Sequence, residues 1–421
     1  MKIEDMLVSG CEDFKYQPDS KLFKSLTECL STLTNSVLVP KGDRRLDKLS
    51  GIIFKETGIL TKIVITTAAN SWSPMVTIPT VSNQHVLVSD FRRIIIGLNT
   101  KSADIIRKTP KVGWVDRSNG TVGGVFSKIE CTIFLPLNCL KKSFITPTAL
   151  AGGLIHEIGH VWTYFDQLAE TLRMNWLVEH TTRLMLGTDS DDDRREYLKV
   201  FEETSGAKFG KDEGIVVQEK NGDKIRTMLI NPIIQGIKST TKSELFDVMA
   251  YEIQSDKFAT MHGAGPALAQ ALEVMGRKLG AKEYRNTGRY LMFEVIKLVA
   301  FLSIGFFSKI TAVVLLLITN PWYADHPHPY QRLEFIEESL NNVLRDRDLD
   351  DKTKKQVLSD IALVRASYKT CKERMTLSQF CWKYILPVGR REFKAFDIQR
   401  SLGGLTNNGL YASAAKLTTI Y

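Results

Sequence analysis

The sequence predicts an α+β fold in which helices predominate. Three observations carry this. Most apolar residues recur at the three-to-four spacing of a buried helical face, period-two runs are few and short, and 421 residues with 43% hydrophobic content suffice for a sizeable core. No long low-complexity linker or internal repeat breaks the sequence.

Taken in order, Leu22, Phe23, Leu26, Leu30 and Leu33 mark a helix in an N-terminal segment, 1–40. Between Gly51 and Gly97 the chain reads as strands in part, among them Lys62–Thr66 and Arg93–Ile96. Gly123–Phe126 followed by Ile129–Leu135 reads as a further strand, which is either an ordinary sheet member or an edge able to align an extended peptide. Thr146 then suits an N-cap and Pro147 a first helical position. Leu150, Leu154, Ile158, Val161 and Phe165 continue as one apolar face, so a helix is expected over about 147–165. Gly152 and Gly153 each cost that helix about 1 kcal/mol of propensity, which points to close packing against another backbone.

A second helix is expected over about 243–262. Thr241 and Glu244 form a capping box, Leu245, Val248, Met249 and Ala259 the inward face, and Gly263 the stop. After position 335 the chain is helical and strongly charged, which suggests a bundle packed on the preceding domain. The expected organisation is therefore 1–40 as a helical segment, 41–335 as the main domain and 336–421 as a helical region.

The chemistry is concentrated in His156-Glu157-Ile158-Gly159-His160, an HExxH motif. Two histidines four apart on a helix project from one face and can bind one ion, while Glu157 stands where its carboxylate can take a proton from water activated by that ion. The residues after His160 lack the glycine and histidine of the extended metzincin motif, which leaves a glutamate as third ligand. Two are available. Glu179 follows His160 after eighteen residues, a spacing similar to that of zinc aminopeptidases of the thermolysin-like group. Glu252 lies on the second expected helix with Asp256 one turn on, and two carboxylates on an apolar stripe need a cation or donor to offset burial. Further on, His326-Pro327-His328-Pro329 with Arg332 forms a turn that is either solvated or able to present His326 and Arg332 to an oxyanion.

In this order the three elements resemble one family, the gluzincin metallopeptidases that include HtpX-type heat-shock proteases and CAAX prenyl endopeptidases. Their pattern is HExxH, a glutamate ligand with an aspartate four residues on, and a His-Pro element followed by arginine. The resemblance spans His156 to Arg332, and this sequence departs from it at Ser255, where alanine is usual, and in its second His-Pro pair. It implies a zincin-like catalytic domain and Zn2+ held by His156, His160 and Glu252. Glu157 would be the general base, Asp256 would orient a ligand histidine, and His326 and Arg332 would hold the tetrahedral intermediate. The expected activity is that of a zinc endopeptidase on protein or peptide substrates. The alternatives are an aminopeptidase using Glu179, and a structural or assembly protein that keeps the fold without cleaving.

The net charge of +9 is spread along the chain, and the short basic runs at Lys108–Lys111 and Lys352–Gln356 read as solvated, so no nucleic-acid partner is expected. Asp189–Asp193 lacks the glycine and terminal glutamate of an EF-hand loop and reads as an exposed turn and helix cap. Six cysteines without a CxxC pair, and no secretory signal before Cys11, suggest free thiols in a reducing, cytoplasmic setting. Leu298–Thr319 is apolar and long enough to span a bilayer, yet Lys309 near its middle would cost about 3 kcal/mol there. It reads either as a membrane contact or as two short buried helices.

Overall fold

The computed structural model describes residues 14–34, 43–67, 73–79, 113–141, 144–241, 248–279, 329–346 and 349–368, with positions 296 and 299. It is predominantly helical with few strands, as the sequence predicts. The expected strand at Arg93–Ile96, the His326 turn and the apolar stretch 298–319 lie outside the described residues. Among the described residues no helix is long and apolar enough to cross a membrane.

Helix α1 (Lys21–Thr34) buries Leu22, Leu26, Leu30 and Leu33, the stripe read from the sequence. Helix α2 (Arg44–Thr57) occupies the start of the segment expected to be partly strand. Asp43 caps it by accepting from the Arg45 backbone N–H at 2.9 Å, and Gly51 is one of its interior residues. Strand β1 (Thr61–Thr66) follows as expected, then β2 (Met75–Thr77), a hairpin of β3 (Gly113–Asp116) with β4 (Thr121–Gly124), and β5 (Cys131–Pro136).

The three-stranded sheet has the order β1-β5-β2, with β1 parallel and β2 antiparallel to β5. The segment offered as an edge strand is thus divided: Gly123 and Gly124 end β4, opposite Trp114 and Gly113, and β5 lies in the centre with a partner on each side. Alternation buried Cys131, Ile133 and Leu135 as the pattern requires, but alternation reports a buried face and carries no information about which strand is outermost. Among the described residues β2 holds an outer position.

Helix α3 (Pro147–Leu186) organises the molecule. Thr146 caps it by accepting from the Ala149 N–H at 3.1 Å, with Pro147 at the first turn. The expected end near 165 is overrun because no glycine or proline occurs until Gly187, which closes the helix. Its first half is buried in one core, from Ala149 to Phe165, and its second half in another, from Met174 to Met185.

The first core also takes in α1, α2 and the sheet, together with α7 (Val248–Ala259), α8 (Gly265–Leu279), α9 (Pro329–Leu344) and α10 (Asp351–Tyr368). The second core is built on α3 by α4 (Asp191–Ser205), α5 (Glu213–Gln218) and α6 (Gly222–Thr241). Ser190 caps α4 by accepting from the Asp193 N–H at 3.3 Å, so the acidic run is a helix start.

Two glycines on α3 let other helices approach. A Cβ at Gly152 would lie 2.5 Å from the Leu268 backbone nitrogen on α8, and one at Gly159 would lie 2.9 Å from Cα of Ser255 on α7. The close packing expected at Gly152 is therefore present. Thr241 ends α6 instead of capping the next helix, and Glu244 is outside the described residues. Gly263, the expected stop, has φ 71° in the turn between α7 and α8, where a left-handed residue reverses the path. Cys29, Cys131 and Cys139 are buried free thiols.

Candidate metal centre

The centre forms where the first half of α3 meets α7 and α9. His156 and His160 lie one turn apart on α3, and their Nε2 atoms are 3.1 Å apart. Glu252, buried on α7, straddles them: Oε2 is 3.3 Å from His156 Nε2 and Oε1 is 3.3 Å from His160 Nε2. An ion with four tetrahedral ligands at about 2.0–2.1 Å would hold those ligands about 3.3 Å from one another. The spacing of these three side chains fits that requirement, and the cluster of His156, Glu157 and His160 can hold a metal ion.

Behind the ligand atoms stands a buried ion pair. Asp256 Oδ1 is 2.8 Å from His156 Nδ1, and Arg332 from α9 binds Asp256 through Nε at 2.9 Å and Nη2 at 2.5 Å. Arg332 Nη2 also lies 3.1 Å from His156 Nδ1, and Nη1 3.5 Å from Glu252 Oε2. Burial raises the Asp256 pKa, but Arg332 and His156 more than offset it and hold the carboxyl below the usual range. An ionised carboxylate can only accept, so it fixes a proton on His156 Nδ1. Burial and the Arg332 charge disfavour a second proton on His156, yet Asp256 and Glu252 outweigh them and bring its pKa up to about 9.

Glu157 sits on α3 beside the first histidine, and its Oε2 accepts from the Val76 backbone N–H on β2 at 3.0 Å. Burial pushes its carboxyl up, and the neighbouring His156 and His160 pull it back only in part. A carboxylate poised in this way is suited to taking up a proton. His160 is held on its far side by Ser255, whose Oγ is 2.9 Å from Nδ1, and by the Tyr251 ring stacked at 6.1 Å and 13°.

Six of the residues singled out from the sequence are therefore in one place: His156, Glu157, His160, Glu252, Asp256 and Arg332. His326 lies outside the described residues. Arg332 is expected from the sequence to face a reacting oxyanion; its guanidinium clamps Asp256 and lies 3.1 Å from each ring nitrogen of His156. Glu179, the other candidate, does not join the cluster, because it stands further along the same continuous helix. Nineteen residues beyond His160 on one helix it is about 28 Å away along the axis. There it pairs with Arg226 at 2.8 Å and Arg183 at 3.1 Å, and the Arg226 hydrogen bond leads in lowering its pKa.

Sequence reasoning missed Val76 and the contact of Ser255. Nothing in the sequence ties Val76 to position 157. Ser255 carried a signal, a hydroxyl directly before Asp256 on the helix that also holds Glu252.

Comparison of the chain with family models, with curated proteins and with solved structures gives no match.

Proposed function

We propose that the protein is a zinc-dependent endopeptidase with a zincin-like catalytic domain, in which His156, His160 and Glu252 hold the metal. The observation that carries this reading is the convergence of two imidazole nitrogens and a carboxylate within 3.3 Å, with Glu157 alongside. Imidazole and carboxylate ligands with this spacing suit zinc. Zinc there would supply a Lewis acid that polarises a carbonyl and makes water a nucleophile near neutral pH.

The remaining chemistry belongs to the chain. Glu157 takes the proton from the attacking water and passes it to the leaving amine. Val76 holds Oε2 of that carboxylate, which leaves Oε1 to carry the proton. Asp256 and Arg332 lock His156 in orientation, so the ligand set needs little rearrangement on binding. The outer strand β2 runs beside Glu157, and its backbone can pair with an extended peptide and place the scissile bond near the base.

The test is cleavage of an unfolded casein-like substrate by the wild-type protein and by Glu157→Gln, with and without a chelator. Cleavage by wild type alone, stopped by chelator, is the expected result. A wild-type protein that binds zinc but leaves the substrate intact would overturn the peptidase reading in favour of a metal-holding scaffold.

A further inference from the structure

We propose that Ser255 is a positioning residue that fixes the tautomer of His160 and so prepares its Nε2 to bind a metal. The inference deepens the reading of His160 as a ligand and rests on it. Ser255 is fully buried on α7. Its hydroxyl donates to the Tyr251 carbonyl at 2.9 Å, which commits the one hydrogen it has. Toward His160 Nδ1, 2.9 Å away, the oxygen can then only accept. Nδ1 therefore carries the ring proton, and Nε2 presents its lone pair to the space shared with His156 Nε2 and Glu252 Oε1. The opposite tautomer would aim an N–H into that space and block a cation.

Two other features serve the same contact. Gly159 lacks the Cβ that would come within 2.9 Å of the Ser255 backbone, so α7 approaches closely enough for the hydroxyl to reach. The Tyr251 ring lies 13° from parallel to His160 and restrains its plane. The two histidines are thus held differently: a carboxylate meets His156 at Nδ1 with a guanidinium against both its ring nitrogens, and a neutral hydroxyl meets His160 at Nδ1. A carboxylate partner raises the basicity of a ligand histidine, whereas a hydroxyl mainly sets its orientation.

Long-range proton–nitrogen NMR of histidine-labelled, chelator-treated full-length protein reads the tautomer with no metal present. Wild type should show His160 protonated at Nδ1 and bare at Nε2, and Ser255→Ala should lose that preference and bind zinc about 10-fold more weakly or worse. Thr260→Val is the control: Thr260 makes the same kind of bond, to the Asp256 carbonyl at 2.7 Å, without touching a histidine. It should leave both readouts unchanged. A wild-type His160 protonated at Nε2 would overturn the proposal, and so would a Ser255→Ala protein with unaltered tautomer and zinc affinity. Should Ser255→Ala fail to fold, the wild-type spectrum alone decides. Should wild type bind no zinc, the metal reading fails while the tautomer still judges Ser255.

Discussion

The two halves of α3 are continuous in backbone and opposite in purpose. The first half carries His156, Glu157 and His160 in a core shared with the sheet and with α7 and α9, and its two histidines are joined to buried carboxylates and a guanidinium. The second half is packed by α4 to α6 around Trp176, Leu177 and Met185. Its buried histidine, His180, is stacked on Trp176 at 5.1 Å, with no hydrogen-bond partner for Nε2 among the described residues. The glutamates differ in the same way, Glu252 turned inward onto two imidazoles and Glu179 outward onto two arginines.

This contrast can be broken by substitution. Arg332→Leu should have the largest effect, because it leaves Asp256 buried without its partner and loosens His156. A loss of about 3–5 kcal/mol in unfolding free energy is expected, together with weaker metal binding. Denaturant melts and metal titration on one preparation would check both. Trp176→Ala should cost a similar amount, about 3–5 kcal/mol, through the cavity it opens in the second core. It should do so with metal binding intact, and a parallel loss of metal would mean that the two halves are not separable.

A smaller effect concerns pH. His262, buried beside Phe14 and Phe258 with Ser20 Oγ 3.1 Å from Nδ1, is pushed by burial down to about 3. The unfolded chain, with histidine near 6.5, binds the proton more readily than the folded one. The stability is therefore complete above about pH 6.5 and is lost as pH falls toward 3. Urea melts between those limits should give a steeper acid-side decline for wild type than for His262→Leu.

Helix type and the site's inner members were legible because they rest on local rules. The cap at Thr146, the Gly263 stop, and the charge conflict of Glu252 with Asp256 on an apolar stripe each depend on residues within a few turns of one another. The length of α3 was underread because the expected apolar face stopped at Phe165, while a new face on the same helix served a different core. That length also carries Glu179 away from the two histidines, a separation that spacing alone had left open. The placement of β2, the Val76 contact and the role of Arg332 depend on how distant segments meet, and no local pattern encodes that. Ser255 lay between these cases: the sequence exposed it as a departure, and only the contact with His160 gave the departure a purpose.

The account stands on Glu252 as the third ligand, and zinc content after dialysis against a competing chelator tests this most directly. Wild type and Glu179→Ala should each retain one zinc per chain, and Glu252→Ala should lose it. Full retention in Glu252→Ala, with loss in Glu179→Ala, would contradict the account.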